Sequence, residues 1–161
     1  MIANFYQVIN GILEQVKTWE PRLTILPGDK QVKFRNSQNR NVKQILGHLI
    51  DSASNNTHRF IHMQYGNDPL QFPNYAINGN NDRWINIQNY QDENWEHMVQ
   101  LWKFSNLHIV HVISNINEKK LQNKWQSDDN TFISLQDMVV DYLRHLILHM
   151  DEIKYLTDKT G

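Results

Sequence analysis

The side chains with most chemistry to offer are histidines. The chain has eight of them and no cysteine. Thiolate metal sites, disulfide scaffolds and a cysteine nucleophile are therefore excluded together, and any soft metal site must be built from imidazole. The segment Asp141-Tyr142-Leu143-Arg144-His145-Leu146-Ile147-Leu148-His149 sets two histidines four residues apart. On a helix that step rotates by roughly 40° and advances about one turn, so both rings share a face and can reach one cation. A lone pair of this kind is a weak signal, and its surroundings strengthen it. Leu143, Leu146, Ile147, Leu148 and Met150 flank the pair; at least one ring should face inward, where an unpartnered polar group is costly.

A third imidazole is available upstream. His48 lies in the apolar frame Ile45, Leu46 and Leu49 and opens a polar seam through Ser52, Asn55, Asn56 and Arg59, which reads as a pocket wall. Three neutral imidazoles with an open coordination position suit Zn²⁺ or Ni²⁺, and helix bundles build such sites from inward side chains of facing helices. His48, His145 and His149 are the candidate ligands. Leu146 follows His145, so the His-Glu-x-x-His arrangement of zinc peptidases is excluded.

Asp51, one turn beyond His48, and Asp141, one turn before His145, are candidates for a general base or for holding a ligand ring, against the plainer reading of exposed helix carboxylates. Ser52, Asn55, Asn56, Arg59 and Asn106, with Ser105 beside it, are candidates to contact a polar substrate, against surface polarity at a stripe's edge. The tryptophans read as core. His58, His62, His97, His108 and His111 have no fitting third partner and read as surface or interface residues.

Four helical stretches must position these groups. Ile2, Phe5, Ile9, Ile12, Leu13 and Val16 fall at helical spacing between Ile2 and about Thr18, with Asn4, Gln7, Asn10 and Glu14 opposite. Pro21, Pro27-Gly28-Asp29 and the aperiodic Lys30 to Arg40 predict a loop over 20–40. Asn39 or Asn41 can cap a second helix from Val42 to Tyr65, with stripe Ile45, Leu46, Leu49, Ala53, Phe60 and Ile61, stopped by Gly66. A long connection over 66–91, rich in Pro, Gly and Asn, should cross the bundle and cover a site. Asp92 can cap a third helix running to about Asn117, with Trp95, Met98, Val99, Trp102, Asn106, Ile109, Val112, Ile113 and Ile116 at helical steps. Ser134, in a Ser-x-x-Asp arrangement with Asp137, caps a fourth from Leu135 to Leu156. The last residues around Gly161 should fray. No run of period two is long enough for a sheet. The expected architecture is all-α, a four-helix bundle with at least one long crossover and a single domain over 1–161, without internal repeats.

Composition narrows the partners. At 161 residues with 40% hydrophobic and 11% aromatic content, one well-packed domain is affordable and two would be cramped. A formal net charge of −1 offers no footprint for nucleic acid. Mean hydropathy is −0.64; charge-free stretches such as Ser105 to Asn117 are too short for a bilayer span, and Met1 to Asn10 has no secretory pattern. The expectation is a cytoplasmic protein without membrane association.

The segment Asn41-Val42-Lys43-Gln44-Ile45-Leu46-Gly47-His48-Leu49-Ile50-Asp51-Ser52, followed at a distance by Asp141-Tyr142-Leu143-Arg144-His145 and His149, resembles the DinB-like superfamily. The resemblance extends over nearly the whole chain and includes Phe72-Pro73-Asn74-Tyr75, Trp84, Trp95 and Leu101-Trp102. It departs from the family's pattern before the second helix, where polar Gln38-Asn39-Arg40-Asn41 replace the usual aromatic residue. It implies a four-helix bundle, often dimeric, with a divalent ion on one histidine of helix two and two of helix four, here His48, His145 and His149. It also implies a metal-dependent hydrolase or an S-transferase using a low-molecular-weight thiol, acting on a small molecule. A noncatalytic bundle that binds metal or ligand is the alternative class.

Overall fold

The computed structural model describes residues 5–159. Ile2, Asn4 and Gly161, named above, lie outside them. Among the described residues there are six α-helices: α1 (Tyr6–Thr24), α2 (Gly28–Val32), α3 (Val42–Tyr65), α4 (Asn80–Ile87), α5 (Trp95–Ser114) and α6 (Leu135–Asp158). The four long ones form a bundle in which α3 packs on α5 and α6, and α1 packs on the same two. Consecutive long helices α1 and α3 thus stand on one diagonal, and α5 and α6 on the other. Diagonal neighbours cannot be joined by a tight hinge, which is why the connections from α1 to α3 and from α5 to α6 are long. Among the described residues, no helix is long and apolar enough to cross a membrane.

Local chemistry explains the helix boundaries. Asn41, rather than Asn39, caps α3: its side chain accepts from the Gln44 N–H, while the Gln44 side chain accepts from the Asn41 N–H at 3.2 Å, a reciprocal capping box. Asn39 instead takes a positive φ of 61° in the turn before it. The polar stretch around it has its own anchors, since buried Arg40 donates through Nε and Nη2 to Asp82 on α4 at 3.0 and 2.6 Å. Asn94, not Asp92, caps α5 by accepting from the His97 N–H. Ser134 caps α6 as expected, accepting from the Asp137 N–H at 3.1 Å. Helix α5 stops at Ser114, and Asn117 instead caps a short 3₁₀ turn over Glu118–Lys120.

Several expectations need correction. Helix α1 runs through Pro21 to Thr24, because Trp19 and Leu23 are buried and the Trp95 Nε1–H donates to the Leu23 carbonyl at 2.8 Å. Tertiary burial here outweighs the lost amide donor. The expected loop over 20–40 contains α2, and the connection over 66–91 contains α4. Ile61 is exposed, and Met63 takes the core position two residues on. There is also a small sheet: β1 (Leu70–Gln71) pairs parallel with β2 (Lys124–Gln126), which pairs antiparallel with β3 (Phe132–Ser134). Strands of two or three residues have too few positions to display alternation, so periodicity could not reveal them. The sheet buries Trp125, whose indole N–H donates to the Phe72 carbonyl at 3.0 Å.

Helix α3 comes very close to the connection at Gly47, where a Cβ would meet the Tyr90 ring at 2.3 Å. That lack of a side chain lets Tyr90 reach the helix. The capping box should be worth measuring directly: Asn41→Ala removes it together with the bond from Asn41 Nδ2 to Gln91. Urea unfolding should show a loss of about 1–2 kcal/mol.

Candidate metal centre

The facing surfaces of α3 and α6 bring His48, His145 and His149 together, with one nitrogen of each within 4.8 Å of the others. His145 Nε2 lies 3.2 Å from His48 Nε2 and 3.1 Å from His149 Nε2. Nitrogens bound tetrahedrally to Zn²⁺ would stand about 3.3 Å apart. Each ring is also held from behind. His48 Nδ1 contacts Tyr75 Oη at 2.6 Å, His149 Nδ1 contacts Glu152 Oε2 at 2.8 Å, and His145 Nδ1 lies 3.4 Å from Ser52 Oγ.

These outer contacts set the tautomers. An ionised carboxylate only accepts, so Glu152 puts the proton of His149 on Nδ1, and hydroxyl oxygens can accept in the same way from His48 and His145. Three Nε2 lone pairs then point inward at one another, a donor set that fits a divalent cation. Burial is the largest cause holding His48 at a pKa of about 2 and His145 at about 4. The charges of neighbouring imidazoles add to it. Both rings are therefore neutral near pH 7 and can act as ligands.

Beyond the rings lies a cleft of about 530 Å³. Ser52, Asn56 and Arg59 of α3 line it with Tyr75, Ile133 of the sheet, and Asp141, Arg144 and His145 of α6. Arg59 is buried over the Trp125 ring at 4.3 Å, and burial lowers its pKa to about 10. The other sequence candidates go elsewhere. Asn106 is fully buried, accepts from Tyr142 Oη at 2.8 Å and does not line the cleft; its place on the apolar stripe is that of a satisfied core amide. Asn55 turns its amide onto the Asp51 carbonyl, and Ser105 lies on the far side of α3. Asp141 is an exposed carboxylate on the cleft rim, taken up by Arg144 at 2.6 Å.

Asp51 is buried and faces away from the cleft, toward a second cavity of about 560 Å³ between α3, α4 and α5. Its Oδ1 accepts from Gln88 Nε2 and Tyr90 Oη, both at 2.7 Å, and Tyr75 Oη is 3.5 Å from Oδ2. Burial raises its pKa, and these hydrogen bonds oppose the shift. Tyr75 thus links Asp51 to the back of His48. Burial and the Asp51 charge push the Tyr75 and Tyr90 phenols well above their usual range, so both stay protonated.

Sequence reasoning missed Tyr75, Tyr90, Gln88 and Glu152. Glu152 carried a usable signal, a carboxylate three residues after His149 on the same helix face. Tyr75 was named only as part of the Phe72-Pro73-Asn74-Tyr75 resemblance, in a long connection expected to cover a site, with no role of its own. His58, His97, His108 and His111 are exposed and His62 half-buried. Among the described residues, no other group of histidines and carboxylates is arranged to hold a metal.

This arrangement of helices is similar to that of known structures, among them the following two. One is described as YfiT from Bacillus subtilis, a probable metal-dependent hydrolase with an unusual four-helix bundle topology. It is 18% identical, matching 93% of this chain and 83% of its own at a TM-score of 0.77. The second is a variant of a mycothiol-dependent maleylpyruvate isomerase, 9% identical, matching 91% of this chain and 59% of its own at a TM-score of 0.72. No protein-family model matches the sequence, and no curated protein does. The bundle anticipated from the DinB-like resemblance is the fold the chain has.

The depressed histidines carry a pH consequence for the metal-free protein. The unfolded chain takes up protons below about pH 6.5, whereas folded His145 does so only near 4 and His48 near 2. The unfolded state binds more protons in between, so stability should rise with pH from 4 to 6.5. The raised pKa of Asp51 works against this slope. Urea unfolding in chelator across that range should show the rise, and His145→Gln should flatten it.

Proposed function

We propose that the protein is a divalent-metal-dependent enzyme of the hydrolase or low-molecular-weight-thiol S-transferase type. His48, His145 and His149 hold Zn²⁺ or Ni²⁺, and a small molecule reacts in the adjoining cleft. The observation that carries this reading is the convergence of three Nε2 atoms whose Nδ1 atoms are all engaged from outside. A divalent ion bound there lowers the pKa of a coordinated water or thiol and polarises a carbonyl, chemistry that serves hydrolysis and S-transfer alike.

The chain's own residues divide the remaining work. Glu152, Tyr75 and Ser52 fix ring orientation and keep Nε2 free of protons. Ser52, Asn56 and Arg59 offer polar contacts along the cleft wall, and Ile133 and Met138 add apolar lining. Asp51 acts through Tyr75, not on the substrate. The same reading takes residues 1–161 as one domain that works as a homodimer in the cytoplasm.

Elemental analysis of protein made without an added metal or a metal-binding tag should find about one Zn²⁺ or Ni²⁺ per chain, as expected of a structurally complete three-histidine site. His145→Ala should abolish it while circular dichroism stays helical. Metal-free wild-type protein that also fails to take up either ion would overturn the assignment. Tyr75→Phe removes the acceptor behind His48 and should weaken metal affinity about 10–100-fold in a competitive chelator titration. A screen of esters and amides, with and without thiol cosubstrates, then decides between hydrolysis and transfer.

A further inference from the structure

We propose that Arg59 is the anion-recognition residue of the cleft, and that the substrate is a small molecule whose carboxylate or phosphate pairs with its guanidinium. This deepens the metal-enzyme reading, on which it rests for the position of the reacting group.

Arg59 is only 6% exposed. Its Nε donates to the Asn55 carbonyl at 3.3 Å, and its guanidinium carbon lies 4.3 Å from the centre of the Trp125 ring. Among the described residues it has no carboxylate partner, and its two Nη atoms make no hydrogen bond within the protein. A buried cation without a counter-ion is costly, and burial is normally accepted only with pairing. Trp125 does not discharge that requirement, because an aromatic ring brings no counter-charge and no oxygen acceptor for the Nη donors.

Those donors border the cleft that also contains His48 and His145. The other arginine of the cleft, Arg144, is already matched by Asp141, and Asp137 on the rim is engaged by Ser134. Asp137 is exposed to solvent, so Arg59 is the buried charge of the cleft without an ionic partner. A planar fork with free parallel N–H groups selects a two-oxygen acceptor, the geometry of carboxylate and phosphate.

Position limits the ligand further. Arg59 follows His48 by eleven positions on one helix. Its side chain leans back along α3, as the Asn55 bond shows, which leaves the guanidinium on the order of 10 Å from the triad. The anionic group and the reacting group would then lie several bonds apart in one molecule.

The test follows the Arg59 Nε–H signal by ¹H–¹⁵N NMR, identified by its absence in Arg59→Lys, together with calorimetry. Both the chelator-treated and zinc-loaded protein are titrated with succinate, inorganic phosphate and neutral dimethyl succinate. Succinate or phosphate should shift the signal saturably in both forms, and the tighter of the two identifies the anionic group. Dimethyl succinate should bind at least about tenfold more weakly, as should the preferred anion to Arg59→Lys, which keeps the charge but loses the fork. Arg59→Met should abolish anion binding if it folds; if it does not, Arg59→Lys and the neutral ligand still decide. No shift with either anion, or equal affinity for the charged and neutral compounds, would overturn the proposal. Anion binding without turnover by the zinc form would remove the enzyme reading alone; turnover of neutral esters without anion selectivity would remove this one alone.

Discussion

Three nitrogen lone pairs directed at one point repel one another unless positive charge lies among them. That constraint organises the region between α3 and α6. His145 Nε2 is within 3.2 Å of both other rings, yet all three Nδ1 atoms face oxygen partners that can take their protons. The fold thus spends its polar groups on holding three imidazoles aligned. An apolar filling of the same space would need none of Tyr75, Glu152 or Ser52.

Topology supplies those partners from separate parts of the chain. Because α1 and α3 occupy one diagonal and α5 and α6 the other, the connections α1–α3 and α5–α6 must cross the bundle; the connection between the packed neighbours α3 and α5 is long for another reason, since it carries α4 and delivers Tyr75 to the back of His48. Arg40 fastens that connection by pairing with Asp82 on α4. Tyr90, admitted by the bare backbone at Gly47, closes the same side by donating to Asp51. The long connection over 66–91 is therefore part of the support for the site. Glu152 needs no such route, being one helical turn from the ring it holds.

What could be read in advance follows from the range of each interaction. His145 and His149 are neighbours by helix geometry alone, and His48 stands in an apolar frame that a helix must bury, so periodicity was enough to nominate all three. The Asn41 and Ser134 caps are equally local. Tyr75 meets His48 across 27 positions, with no periodic pattern linking them, and only the folded crossover reveals the contact. Asn106 was misleading for a related reason. A polar residue on an apolar stripe has an unmet need for a partner, and sequence cannot say whether a substrate or another side chain, here Tyr142, answers it. The short strands failed on length, having too few residues to display a period.

The two sides of α3 differ in charge, and this bears on what the cleft can accept. On one side Asp51 is surrounded by three donors, Gln88, Tyr90 and Tyr75, and has no open path to the rings. On the other side the buried charge is that of Arg59. Glu152 is the carboxylate in contact with the triad, and it is occupied by the His149 N–H. With a divalent ion on the histidines, the interior of the site would therefore carry more positive than negative charge, because Glu152 offsets only part of the ion and Asp141 is occupied by Arg144. A neutral guest would leave that excess in a poorly solvated space, whereas an anionic one would neutralise it at the moment of binding. The electrostatics of the metal-bearing arrangement and the geometry of the free guanidinium would thus favour the same kind of molecule, one through its charge and the other through its shape.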